Sequence, residues 1–206
     1  DRIALAPTDL QPQQTEYAVI SGIYAGPDSD IVVVKLADVL LFAHNGRTSI
    51  VHKDDGGRVV DIDTRGEVAL LSRSITIEGT GDAQEGLGGD VMLTGHNARA
   101  EFAWVEFRYL GRRGHLGRYP LHIHNLGMSG KNVLIQNVAI HASFQRGIVV
   151  HCTHGPTIVN NTASGTHGFA FMLEDGSEET KKQLFPGKLR DRHQALSFAR
   201  GRDRAC

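Results

Sequence analysis

Residues 147–152 read Gly-Ile-Val-Val-His-Cys, and residues 168–173 read Gly-Phe-Ala-Phe-Met-Leu. Between and before them lie a second matching pair, VLIQN at 133–137 and TIVNN at 157–161. Both pairs recur after roughly 21 to 24 residues, the spacing of solenoid repeats. Each segment is strand length and rich in Val, Ile or Phe. A strand this short cannot bury its faces alone. Stacking it on the matching strand of the next coil gives every rung a neighbour and builds one continuous core. The Asn that closes 133–137 and 157–161 suits a coil corner, because it tolerates the left-handed region and can bond nearby backbone amides. The competing all-β solution is a sandwich. No Asn-Gly or Asp-Gly hairpin signal falls between Glu67 and Leu173, which favours the solenoid there.

The same reading extends outward. Further strands are expected at 17–23, 31–35, 39–43, 58–62, 67–71, 75–78, 91–94, 100–107, 121–124, 133–140 and 169–173, each bounded by Gly, Asn, Asp or Pro. From Glu67 to Leu173 they should form parallel, in-register ladders. Before Glu67, Asn45 followed by Gly46 and Asp55 followed by Gly56 predict antiparallel hairpins. Helical periodicity is weak. The one passable helical stretch, 178–189, is interrupted by Pro186 and Gly187. Residues 181–206 are basic and carry no strand signal, so they are expected to pack poorly and to form no rung.

Composition agrees with many short strands. Of 206 residues, 40% are apolar, 6% aromatic and 24 are Gly, a balance that long helices would not produce. A net charge of −1 provides no global attraction to nucleic acid. The longest apolar run, 31–43, is interrupted by Lys35 and Asp38 and falls short of the roughly 18 residues of a membrane span. The two cysteines, Cys152 and Cys206, make no disulfide framework and no CxxC zinc pair. The chain opens at Asp1 without a basic and apolar leader, as a piece of a longer protein would.

Strand alternation locates candidate chemistry. If Leu121 and Ile123 point inward, His122 and His124 point outward. If Ile148 and Val150 point inward, Val149 and His151 point outward, and Phe169, Phe171 and Leu173 inward turn Met172 and Glu174 outward. Stacking Ile123, Val150 and Leu173 in one column sets His124, His151 and Glu174 in the adjacent outer column. Parallel strands lie about 4.8 Å apart, so these groups would touch. His141 and His154 are expected to border the same face.

Such a column could hold a divalent cation through His124, His151 and Glu174. It could share acid and base roles between imidazole and carboxylate, or merely bind sugar through hydrogen bonds. It could also be a packing ladder whose carboxylates order a turn. Glu174, Asp175 and Glu178 together would suit Ca²⁺ or a carboxylate pair. Arg118 and Arg146 can fork onto a sugar carboxylate, or pair with Glu106 or Glu174 within the fold. There is no Walker loop and no GxSxG. Cys152 follows His151 directly, and adjacent strand residues face opposite sides, which disfavours a Cys–His catalytic pair.

The stretch GRYPLHIH at 117–124 resembles the GRYPxHFH signature of the cell-migration-inducing hyaluronidase and fibrocystin-like family. IHASFQR at 140–146, VHCTHG at 150–155 and GFAFMLEDG at 168–176 resemble it too. EVALLSR at 67–73 and GGDVML at 88–93 fit the same pattern, in the family's order. The likeness runs from about residue 5 to 178; residues 181–206 depart from it.

The resemblance implies an all-β fold, a single-stranded right-handed parallel β-helix. It also implies an extracellular or cell-surface setting and a polysaccharide ligand, with cleavage of a hyaluronan-like polymer as the activity. A non-catalytic carbohydrate-binding or structural solenoid is the alternative. Residues 1–66 would then be a β-rich remnant of the family's eight-glycine domain, 67–178 the coils and 179–206 an atypical tail. His124, His151, Glu174 and Asp175 are the expected catalytic groups. Arg118, His122, His141, Arg146 and His154 are the expected substrate contacts. A divalent cation, Ca²⁺ or a transition metal, is the cofactor that this set would accept.

Overall fold

The computed structural model describes residues 1–46, 50–53, 55–57, 59–62, 64–174 and 197–198. The chain divides into two compact units, Asp1–Leu70 and Leu71–Cys206.

In the first unit, β1 (Arg2–Leu5) lies between β2 (Glu16–Ala25) and β6 (Val68–Leu70), and β3 (Val32–Leu36) extends the sheet beyond β2. Every pairing in this sheet is antiparallel. A separate antiparallel pair joins β4 (Ile50–Lys53) to β5 (Val59–Ile62) across the Asp55–Gly56 turn. The other expected hairpin is not one. The Asn45 amide donates to Thr64 Oγ1 at 3.0 Å and Asn45 N–H donates to Thr8 Oγ1 at 2.9 Å, so Asn45 ties two loops together. Residues 39–43 form no strand, and Glu16 accepts the backbone N–H groups of Leu41 and Phe42 instead. Val68–Leu70 was expected to begin the parallel region but pairs antiparallel with β1. Parallel pairing starts at Ile75.

The second unit is built from three parallel sheets visited in rotation. The first holds β7 (Ile75–Glu78), β10 (Val105–Arg108), β13 (Ala139–Ser143) and β16 (Thr162–Thr166). The second holds β8 (Val91–Thr94), β11 (Leu121–Gly127), β14 (Ile148–Thr153) and β17 (Phe171–Leu173). The third holds β9 (Ala100–Ala103), β12 (Val133–Gln136) and β15 (Thr157–Val159). Two expected strands split because the chain must pass from the third sheet to the first. The breaks fall at Trp104 and Asn137, with Asn160 at the equivalent place one rung later; their φ values are 58°, 54° and 53°. Asn bears this conformation at lower cost than most side chains. Asn160 Nδ2 also donates to Asn137 Oδ1.

Each sheet sends an inner column into one core. Ile77, Phe107, Ile140 and Ala163 align in the first sheet. Leu93, Ile123, Val150 and Leu173 align in the second. Phe102, Ile135 and Ile158 align in the third. All of them pack in a single hydrophobic cluster, which is what holds short strands together. No helix among the described residues is long and apolar enough to cross a membrane.

Residues 181–206 were expected to contain no rung. Ser197–Phe198 (β18) nonetheless pairs in parallel with β17, Phe198 opposite Leu173. The outer edge of β17 presents unpaired backbone groups that such a segment satisfies. The rest of that tail, and the helical stretch expected at 178–189, lie outside the described residues.

Candidate functional site

The second sheet carries the site. Its register pairs His124 with His151 and Ile123 with Val150, which in turn pairs with Leu173. The Glu174 backbone N–H donates to Val150 O at 2.9 Å and continues that ladder by one residue. Asn125 and Cys152, in the left-handed region at φ 55° and 45°, turn the chain immediately after the two histidines.

The alternation expected of β11 holds, but the outer face is not bare. The outer row beside the histidine column is His122, Val149 and Met172. Val149 and Met172 pack with Tyr119 and Phe169 in a second, smaller cluster. His122 is consequently only 2% exposed. Its ring meets Tyr119 edge-on at 4.8 Å and His124 edge-on at 4.8 Å. The His124 and His151 rings lie 4.8 Å apart, both half-buried. One ring nitrogen from each of His122, His124 and His151 falls within 4.8 Å of the others.

Burial pulls the His122 imidazole down to about 4, against the pull of the Gly117 carbonyl, and the neighbouring His124 deepens the shift. The ring is therefore neutral near pH 7. Its Nδ1 lies 3.0 Å from Gly117 O. A carbonyl only accepts, so Nδ1 carries the proton and Nε2 presents a lone pair.

Glu174 stands beside this trio and is otherwise engaged. Arg146 Nη1 donates to Glu174 Oε1 at 2.7 Å and to Tyr119 Oη at 3.0 Å. The Tyr119 hydroxyl donates to the same Oε1 at 2.9 Å. The Arg146 guanidinium also lies 5.4 Å over the Tyr119 ring. Burial raises the Tyr119 hydroxyl above its ordinary value, and Glu174 pushes the same way. Glu174 Oε2 comes to 4.0 Å from His122 Nε2, beyond hydrogen-bond reach. The nitrogen that joins His124 and His151 is thus that of His122, where the sequence put the Glu174 carboxylate.

The remaining sequence candidates separate. His141 sits on β13 in the first sheet, buried, with Nε2 2.8 Å from Glu106 Oε1, and does not border the histidine face. The chain had already passed to another sheet when it reached His141, which local alternation could not register. His154 lies in the turn after β14, its backbone N–H donating to Gly127 O at 2.8 Å. It stands outside the trio. Arg118 is exposed, 3.3 Å from Asp90, and pairs with neither Glu106 nor Glu174. Arg146 does pair with Glu174, one of the two partners weighed for it. Cys152 is in a disulfide and offers no thiolate. Asp175 lies outside the described residues. Tyr119 was missed. The signal for it was present: Val149 and Met172 are apolar residues on an outward row, and such a row demands a cover.

The sequence comparisons point the same way. Residues 86–185 match the family model described as CEMIP beta-helix. A cell surface hyaluronidase of Danio rerio is 29% identical over 197 residues, covering 87% of this chain and 13% of that protein. Cell surface hyaluronidase CEMIP2 of Homo sapiens is 28% identical, with the same 87% and 13% shares. A G8 domain-containing protein of Dictyostelium discoideum is 37% identical over 112 residues, 54% of this chain and 8% of that protein. The chain thus spans only a small part of the length of these relatives.

Proposed function

We propose, from the premise that residues 86–185 belong to the CEMIP β-helix family, that the chain is part of a surface or extracellular protein engaging a uronic-acid polysaccharide such as hyaluronan. The rotation through three parallel sheets is read as one right-handed β-helix, since crossovers between parallel strands take that hand almost without exception. The observation that carries the functional reading is the register of His124 on His151 beside His122. Aligned imidazoles on an outer face, bordered by a guanidinium, a carboxylate and a phenol, are the groups needed to bind an acidic sugar and move protons on it. His124 and His151 are half-buried and are the imidazoles that would meet the polymer. Arg146 and Arg118 supply positive charge for the sugar carboxylate, Arg118 from an exposed rim. Glu174 orients Arg146 and Tyr119. The names of the hyaluronidase relatives support the choice of polymer.

One observation favours a binding module that does not cleave. The Glu174 carboxylate is already engaged by Arg146 and Tyr119, so it holds side chains in place and is not free to act on a sugar. Incubation with a panel of glycosaminoglycans, with and without chelator, separates the readings through chain length and retention. The expected result is shortening or retention of hyaluronan or another uronic polymer, reduced in His124→Ala and His151→Ala with the fold intact. Wild-type behaviour in both variants, or no engagement of any glycosaminoglycan, refutes the proposal.

A further inference from the structure

We propose that His122, His124 and His151 form a three-nitrogen site for a divalent transition metal ion of the Zn²⁺ or Co²⁺ type, and not for Ca²⁺. Four observations meet at this point. A ring nitrogen from each of the three lies within 4.8 Å of the others. His122, 2% exposed, presents a buried Nε2 with no hydrogen-bond partner among the described residues. A buried nitrogen left unsatisfied is costly and calls for a ligand. The Gly117 carbonyl takes the proton-bearing Nδ1 at 3.0 Å, the second contact that orients a metal-binding imidazole and leaves Nε2 bare. Finally, the His124 and His151 side chains come from strands locked in register, so the backbone supports both donors.

Donor chemistry selects the ion. Ca²⁺ takes six to eight oxygens, whereas imidazole nitrogen suits Zn, Co, Ni and Cu. Among the described residues the carboxylate that comes within 4.0 Å of His122 is Glu174, and its other oxygen is held by Arg146 and Tyr119. Nitrogens bonded to one ion at about 2.1 Å lie roughly 3–3.4 Å apart. The present spacing of up to 4.8 Å is closed by small ring rotations of the two half-buried histidines. Three protein ligands leave a further position for water or a sugar oxygen, as in catalytic rather than structural zinc sites. Glu174 Oε2 would stand beside that position as a hydrogen-bond acceptor.

This site deepens the polysaccharide reading, but its test reads the metal directly. The untagged chain is stripped with chelator and titrated separately with Zn²⁺, Co²⁺ and Ca²⁺. The expected result is one Zn²⁺ or Co²⁺ per chain, a visible Co²⁺ absorption band and no competition by Ca²⁺. His124→Ala and His151→Ala should each weaken binding at least tenfold, while His115→Ala, at an exposed turn, should leave it unchanged. His122→Asn retains a polar side chain of smaller size, and a circular-dichroism spectrum confirms folding before its metal affinity is read. Absence of Zn²⁺ or Co²⁺ binding to folded wild type overturns the proposal, as does undiminished binding in the folded His124→Ala/His151→Ala double variant. Metal binding without any glycosaminoglycan effect upholds the site and sinks the polysaccharide reading. Polymer engagement with no metal bound upholds that reading and sinks the site.

Discussion

Replacing Glu174 with Gln keeps its shape and removes its charge, leaving Arg146 without its carboxylate. The two side chains are 23% and 18% exposed and 2.7 Å apart. Breaking a fully buried pair by removing one partner costs about 3–5 kcal/mol. An exposed pair is worth about 1 kcal/mol or less. With roughly a fifth of each side chain still in water, Glu174→Gln should cost about 2 kcal/mol. Arg146→Met, which keeps the aliphatic stem, should cost about the same, because Glu174 then loses its shortest partner. The double variant removes both charges, so its loss should fall short of the sum by about 1–2 kcal/mol. Urea denaturation of the four proteins, followed by circular dichroism at pH 7, measures that coupling. The Tyr119 hydroxyl, still able to donate to position 174, limits how far the double variant falls. Additivity within about 0.3–0.5 kcal/mol would show that Arg146 and Glu174 act independently, and the claim that Glu174 positions Arg146 would fail.

Asn161 is buried and bonds twice to backbone, accepting from Val138 N–H at 2.9 Å and donating to Ile135 O at 3.0 Å. Asn161→Leu orphans both groups and should cost about 2–5 kcal/mol in urea denaturation; a loss below 1 kcal/mol would show that the two amides find other partners. Burial tends to raise the Glu106 carboxyl. The His141 bond, the Arg73 N–H and the charges of His141 and Arg108 outweigh burial and hold it below its usual value. The unfolded chain therefore takes up that proton first, at about pH 4.3. The contribution is complete above that pH and is lost as pH falls through it toward the lower folded value. Between about pH 5 and 3 the wild type should lose stability more steeply than Glu106→Gln; equal slopes would contradict this. A Cβ on Gly147 would overlap the Ala170 carbonyl oxygen in the next rung. Gly147→Ala should therefore lower stability by about 1–3 kcal/mol, and an unchanged melting temperature would show that the rungs can part.

Much of the architecture was legible because the order of these short parallel strands follows local signals. The matching segments at 133–137 and 157–161, and at 147–152 and 168–173, are successive rungs of two sheets. Asn137, which ends the first of them, and Asn160, one residue before the end of 157–161, turn corners, as tolerance of the left-handed region allows. Period-two alternation also placed His124 and His151 side by side. Other features were invisible locally. The departure of 100–107 into two strands depends on Trp104, whose side chain carries no turn signal. The antiparallel partner of Val68–Leu70 is β1, far away in sequence.

The sequence by itself determined which residues face outward, because alternation is a property of each strand taken alone. It could not say which outward residues stay wet. Burial of His122 requires Tyr119 and Phe169 to close over the row of Val149 and Met172. Glu174 stands in line with the histidines by register. Its carboxylate turns toward Arg146 and Tyr119, 28 and 55 residues earlier in the chain. Those partners meet only when successive rungs stack. The direction of a long polar side chain is decided by the charge and hydrogen-bond donors around it, and these come from the tertiary structure.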